Sequence, residues 1–90
     1  MSDAADSAKR ALVLRLKRVE GQLRGVQAMI EGGHDCEAVA TQLAAARKAL
    51  DKAFFELMAC AIEHPQLGGN KAERAEVRAR RVAKTLARLA

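Results

Sequence analysis

The sequence predicts an all-α protein whose protomer contains three helices. Half of the 90 residues are hydrophobic and only one is proline, while the helix-forming residues Ala, Leu, Lys, Arg and Glu are abundant. Apolar residues recur every three or four positions in two long stretches, and glycine or proline follows each stretch. The length fits one domain, residues 1–90, with a core so small that we expect the chain to oligomerise.

The first helix is predicted to begin near Ser7, after a flexible arm at residues 1–6, and to end at Gly32 and Gly33. Its apolar residues alternate in steps of four and three, which is the spacing of a heptad seam. The seam consists of Leu12, Leu16, Val19, Leu23, Val26 and Ile30. This helix is therefore expected to pack lengthwise on another helix.

The second helix is predicted to follow directly, because the turn at residues 32–34 is short enough to form only an antiparallel hairpin. Asp35 is its expected N-cap, and Pro65 ends it. One helical stripe contains Cys36, Val39, Leu43, Ala46, Leu50, Ala53, Leu57, Cys60 and His64. The stripe predicts that both cysteines and the histidine lie on one buried face.

The two cysteines cannot meet within one chain. A rise of ~1.5 Å per residue places Cys36 and Cys60 roughly 36 Å apart along the helix axis. If the second helices of two chains pair in an antiparallel arrangement, the start of one helix meets the end of the other. The sequence therefore predicts a dimer in which each cysteine lies near a cysteine of the other chain.

The third helix is predicted over residues 71–90, with Asn70 as its N-cap and Glu73 as the capping-box partner. Its basic side chains form a ridge, made of Arg74, Arg78, Arg81, Lys84 and Arg88. Such a helix either lies on the second helix or contacts a nucleic acid backbone. The sequence leaves both options open.

The net charge of +5 is unevenly distributed and favours a polyanionic partner. Residues 1–33 have six basic and four acidic side chains, residues 34–70 have three and five, and residues 71–90 have seven and two. A basic periphery around a more acidic centre fits double-stranded DNA, which binds through its phosphates and releases counterions. Ordinary solvated surface charge is the alternative interpretation.

On the first helix, Arg15, Arg18 and Gln22 form a compact polar strip suited to phosphates or base edges. Lys17 belongs to a second basic strip on the far side. Arg47 is expected near the middle of the paired second helices, where it would extend the first strip. These five residues are the predicted DNA-binding set.

Other functional classes fit less well. The sequence has no run of about 20 apolar residues and no signal peptide, so we expect a cytoplasmic protein that does not enter a membrane. In a reducing compartment, two cysteines are expected to be free thiols, ligands or sensors rather than a structural disulfide. A thiol enzyme would need a base beside its nucleophile and a substrate pocket, and the sequence predicts neither.

Several of these residues together resemble the CsoR/RcnR/FrmR family of metal- and thiol-responsive bacterial transcriptional repressors. The resemblance runs without gaps from about Leu12 to Glu63. It rests on the segment RLKRVEGQLRG at residues 15–25 and on Cys36, Gln42, Arg47, Leu50 and Asp51. It implies a helical protomer, antiparallel pairing of second helices, a tetramer formed as a dimer of dimers, and operator binding without a helix-turn-helix. It also assigns DNA-facing and allosteric roles to Arg15, Arg18, Gln22 and Arg47.

The inducer site departs from the family pattern. The copper-sensing members of the family that this chain resembles have a histidine and a second cysteine at two positions after the first cysteine. At those positions this chain has Ala61 and Pro65. Cys60 and His64 have the same i, i+4 spacing, but each stands one residue earlier than the family's position. This shift rotates the pair by about 100° around the helix.

The interpretation from sequence is that the inducer acts between subunits at Cys36 and Cys60. The first hypothesis is oxidation or persulfidation of Cys36, in the first helical turn, with Cys60 as the resolving thiol. The alternative is a thiophilic metal ion such as Cu(I) bound by Cys36, Cys60 and His64. A purely structural helical bundle is a third interpretation, which explains the seams but not the basic strips.

Overall fold

The structure is a computed structural model and describes residues 3–64 and 73–90. The described residues form three helices: α1 (Asp3–Glu31), α2 (Cys36–Glu63) and α3 (Ala75–Leu89). α1 packs on α2, and α3 packs on α2. The predicted all-α protomer with three helices is therefore confirmed.

The start of α1 differs from the prediction. The helix begins at Asp3 rather than near Ser7, and Ala5 is only 1% exposed, so residues 3–6 do not form a flexible arm. The early start has a local reason. Asp6, in the first turn, interacts favourably with the helix dipole, and the alanines before it have high helix propensity.

The hairpin turn is held by backbone hydrogen bonds. His34 N–H donates to the Met29 carbonyl (3.0 Å) and Gly33 N–H donates to the Ile30 carbonyl (3.1 Å), which is the Schellman pattern. Gly33 has a φ of 75°, a value that favours glycine. Asp35 then caps α2 by accepting a hydrogen bond from the Ala38 N–H at 2.7 Å. The predicted stop and N-cap are both confirmed.

The core between α1 and α2 is built from small side chains. Its buried residues include Val19, Val26, Ala46 and Ala53. The Cα radius of gyration is 16.8 Å, whereas a compact domain of this length is expected near 12 Å. The extents of 53 × 28 × 13 Å describe a thin, elongated protomer. It has little interior of its own.

About half of each predicted seam remains exposed in the protomer. The large exposed residues of the two seams are between 39% and 61% exposed, and they are Leu16, Leu23, Ile30, Leu43, Leu50 and Leu57. Smaller residues of the same seams face the partner helix within the chain. An open row of leucines beside a closed row of alanines and valines is typical of a helix that packs on two neighbours.

The start of α3 also differs from the prediction. The helix begins at Ala75 with Arg74 at the N-cap position and no side-chain cap, whereas we expected it to begin at residue 71. The predicted cap, Asn70, lies outside the described residues. Glu73 precedes the helix instead of occupying its first turn, and it binds the Arg81 guanidinium at 2.8 and 2.9 Å. A two-point ion pair satisfies this carboxylate better than one backbone N–H would.

The packing of α3 explains one residue of the predicted basic ridge. Arg78 is 6% exposed and donates from Nε and one terminal nitrogen to the Ile62 carbonyl, at 3.4 and 3.3 Å. Val82, which is four residues later and one turn further along α3, is also buried. Of the two options left open by the sequence, α3 therefore lies on α2, at the end of α2 that contains Cys60.

Candidate DNA-binding and sensing sites

The predicted polar strip on α1 is exposed except at Arg15. Arg18, Gln22 and Lys17 are all exposed. Arg15 is half-buried because its guanidinium binds the Glu56 carboxylate of α2 through two contacts of 2.9 Å. The sequence analysis missed Glu56, since the pairing depends on the register between two helices.

Arg47 is on α2 and lines an apolar groove of ≈ 620 Å³ together with Leu23, Leu43 and Leu50. The Arg15–Glu56 contact fixes the antiparallel register, and Arg47 stands nine residues before Glu56 on α2. Arg47 and Arg15 therefore lie at different levels of the hairpin. Arg47 is level with the Gln22 end of the strip.

Cys36 is the first residue of α2 and is exposed. It lines a second groove, of ≈ 410 Å³, with Ile30, His34 and Val39. The Nδ1 atom of His34 lies 3.1 Å from the Met29 carbonyl, so the ring is tied to the end of α1. The sequence analysis did not single out His34, although its position two residues before the thiol was a usable signal.

Cys60 lies near the other end of α2 and is half-buried. His64 ends the helix, and its backbone N–H donates to the Cys60 carbonyl at 2.8 Å. The two side chains are thus one turn apart. Both cysteines are free thiols.

Within the protomer Cys36 is exposed and Cys60 is half-buried. The burial of both thiols on one face stays a prediction for the assembled protein, because the prediction requires a partner helix to cover that face. At about 100° per residue, the 24 positions from Cys36 to Cys60 place the two side chains about 120° apart around a straight helix.

The donor atoms of a single protomer do not converge on a metal ion. Among residues 3–64 and 73–90 there is no group of three or more His, Cys, Asp or Glu side chains placed to hold one. The chemistry of the donors nevertheless suits a soft metal, because Cys60 and His64 are neighbours and thiolate is the preferred ligand of Cu(I).

Comparison with known proteins identifies the family. Residues 8–89 match the family described as metal-sensitive transcriptional repressor. The chain belongs to this family. The resemblance seen in the sequence is thereby confirmed, and the family is one of repressors rather than enzymes.

One curated relative of these metal-sensitive repressors supports the assignment. A 44-residue stretch is 39% identical to the copper-sensing transcriptional repressor CsoR of Bacillus subtilis (strain 168). The match covers 49% of this chain and 44% of that protein, so it spans less than half of either. No solved structure matches the chain.

The family is one of transcriptional repressors, a class of proteins that act on DNA. Among the described residues, no helix has the length and apolar character needed to cross a membrane.

Proposed function

We propose that the chain is a cytoplasmic repressor that binds operator DNA and is released by an inducer acting between subunits. The inducer site pairs Cys36 of one protomer with Cys60 of the partner subunit. The observation that carries this proposal is the position of the two thiols, at opposite ends of one 28-residue helix in a chain that belongs to the metal-sensitive repressors.

The proposed assembly is an antiparallel pair of α2 helices, with two such dimers forming a tetramer. The open row on α2 supports this arrangement, because Leu43, Leu50 and Leu57 present a continuous apolar surface. Burying that surface against a second copy would also place Arg47 near the symmetry axis. There it would join the Arg15 and Arg18 strip of the partner to form one basic face.

A charge introduced into the leucine row tests the assembly. Leu50→Lys should give a monomer in sedimentation velocity at micromolar concentration, since a lysine pair would be buried in the interface. Leu14→Lys is the matched control, because Leu14 is 51% exposed against 49% for Leu50. Leu14 lies on α1 beside Lys9 and Arg10 and is not part of the leucine row. The control should remain at least dimeric. A Leu50→Lys protein of unchanged mass would exclude this interface.

Operator binding tests the DNA surface. The proposed set is Arg15, Lys17, Arg18, Gln22 and Arg47. Replacing Arg18 by Ala should weaken binding by about 1–3 kcal/mol and lower the slope of log K against log salt by about one.

Arg80→Ala is the matched control for that experiment. It removes the same side chain from an exposed position of α3, outside the proposed set. Its affinity should change little. Equal effects of the two variants would mean that the positive charge of the chain acts only as a diffuse field.

A thiophilic metal ion such as Cu(I) is the inducer that the family favours. Both the family description and the relative in Bacillus subtilis are named for metal sensing. The proposed donors are Cys36 of one protomer and the partner's Cys60 with its neighbour His64. Two thiolates and an imidazole are soft enough for a monovalent copper ion.

Thiol modification is the second candidate, and the exposure of Cys36 favours it. The Cys36 thiolate attacks a sulfur atom of a polysulfide, a persulfide forms on Cys36, and a shorter polysulfide anion leaves. The partner's Cys60 thiolate then attacks the inner sulfur of that persulfide. Hydrosulfide leaves, and a disulfide joins the two chains.

Two reagents separate the candidates on the same operator complex. If thiol modification is the signal, sodium tetrasulfide releases the DNA and yields a covalent dimer on non-reducing gels. Cys36→Ser would abolish both effects, and Cys60→Ser would keep an uncrosslinked adduct. If the metal is the signal, Cu(I) releases the DNA without a crosslink, and tetrasulfide does not. Release by neither reagent would reject the cysteine site.

A further inference from the structure

An ion pair between Arg15 and Glu56 joins α1 to α2. The two residues are 41 positions apart in sequence, and their side chains meet through Nε–Oε2 and Nη2–Oε1 contacts, both of 2.9 Å. Their side chains are 29% and 36% exposed, so the pair is partly shielded from water. Two parallel contacts fix the orientation of a guanidinium as well as its position.

Glu56 also stands next to the proposed sensing thiol. Glu56 is four positions before Cys60, a distance of about one turn, or ~6 Å, along α2. Side chains at this spacing are neighbours on the helix surface. The same turn of α2 therefore contains a thiol assigned to the inducer site and the carboxylate that holds an arginine assigned to DNA.

We propose that Glu56 is a positioning residue that couples the state of Cys60 to the DNA-binding orientation of Arg15. This inference rests on the proposed function of both residues. It concerns a path within one protomer, from α2 to α1, and does not require the subunits to rotate.

The geometry favours positioning over masking. Arg15 has five N–H donors, and the two contacts with Glu56 use two of them. Three donors remain for a phosphate, and the guanidinium is partly exposed. A side chain already held in one orientation loses less conformational entropy when it binds DNA.

A charge placed on Cys60 would disturb this arrangement. The Glu56 carboxylate is drawn toward a positive group one turn away and repelled by a negative one. Either displacement bends the two contacts with Arg15, which weaken steeply away from linear geometry. Arg15 then leaves the orientation in which it meets the operator.

The first experiment measures operator affinity without any inducer. Glu56→Gln removes a negative charge, which by itself would strengthen DNA binding, yet positioning predicts affinity about tenfold weaker and a salt slope lower by about one. Glu63→Gln is the matched control, because it makes the same change on α2 at an exposed residue that forms no ion pair with the described residues. Its affinity should stay the same or rise. Tighter binding by Glu56→Gln would overturn the proposal.

A double-mutant cycle identifies Arg15 as the residue through which Glu56 acts. In an Arg15→Ala background, Glu56→Gln should have no further effect on affinity or salt slope. Additive losses would mean that Glu56 acts elsewhere. Sedimentation and circular dichroism of each variant establish that assembly and helix content are retained.

The second experiment places a charge on Cys60 directly. The chain has two cysteines, so in Cys36→Ser the only thiol is Cys60. Its thiolate attacks the sulfenyl sulfur of a methanethiosulfonate, a mixed disulfide forms, and methanesulfinate leaves. Reagents that add an ammonium group, a sulfonate group or a neutral methyl group give three labelled proteins of known charge.

The two charged labels should weaken operator binding by at least fivefold, and the methyl label should have little effect. Adding Glu56→Gln should remove the difference between the labels, whereas Glu63→Gln should preserve it. If the charged labels act equally with and without Glu56, the coupling proposal is overturned. If Arg15→Ala binds the operator as tightly as the unmodified chain, the proposed DNA surface fails instead.

Discussion

The two ends of α2 are held in different ways. At the start, the helix is fixed by its own neighbours in sequence: Gly33 makes the turn and Asp35 caps the first N–H groups. At the far end, α2 is held by a residue of another helix, since Arg78 of α3 donates to the Ile62 carbonyl. The thiol at the first end is exposed, and the thiol at the second is half-buried. Thus the Cys60 end of α2 depends on a hydrogen bond from α3.

The largest predicted effect removes that contact. Arg78→Ala should lower the free energy of unfolding by about 1–3 kcal/mol, because a carbonyl at the end of α2 loses a charged donor. Arg80→Ala, on the exposed side of the same helix, should stay within about 0.5 kcal/mol. Urea unfolding at fixed protein concentration measures both. Equal losses would mean that α3 does not hold α2.

At the hairpin end, the turn should be more sensitive than the cap. Gly33→Ala should cost about 1–2 kcal/mol, because alanine is strained at a φ of 75° even though no atom lies within 4 Å of its added Cβ. Gly25→Ala provides a control of opposite sign: its Cβ also meets open space, but the residue is within α1 and should gain about 0.5–1 kcal/mol. Thermal melts of both proteins test the pair.

Loss of the N-cap should have a smaller effect. Asp35→Ala removes the acceptor of the Ala38 N–H and should cost about 1 kcal/mol. Amide hydrogen exchange should show the loss in the first turn of α2, around Cys36, and not near Cys60. Exchange that rises equally at both ends would contradict local control of the hairpin end.

The smallest effect concerns pH at the far end. The hydrogen bonds from Arg81, together with the charges of Arg81 and Arg78, lower the pKa of Glu73 below its usual value of 4.5. A lowered pKa in the folded state means that the ion pair stabilises the fold above pH 4.5 and is lost as pH falls through the lower folded value. Glu73→Gln should therefore differ from the parent most at pH 7, and the difference should shrink as the pH falls below 4.5. A difference that does not shrink as the solution is acidified would assign Glu73 a role independent of its charge.

The same contrast explains what could be predicted from the sequence. The hairpin end follows local rules, so Gly33 and Asp35 were identified from residue type and position alone. The far end depends on how α3 meets α2, and the regular spacing of Arg78 with its basic neighbours gave no sign that this residue is buried. The start of α3 was misplaced for a related reason, since Glu73 binds Arg81 instead of capping a helix.

The polar strip on α1 was predictable as a surface, because residues on one side of an isolated helix follow from its period. Arg18 and Gln22 are exposed, as that period predicts, and their contact with DNA stays a prediction. The Arg15–Glu56 contact was not predictable. The two residues are 41 positions apart in sequence, and their meeting depends on the register between α1 and α2. Two-helix register is a property of packing, which no single helical pattern contains.

The thinness of the protomer affects how its stability depends on protein concentration. In a body 13 Å across, whose fully buried residues on the two long helices are alanines and valines, the backbone becomes accessible whenever the helices separate. Because association stabilises the folded state by mass action, we expect the melting temperature to rise with protein concentration. Lone protomers should therefore be cleaved by proteases faster than the assembled protein.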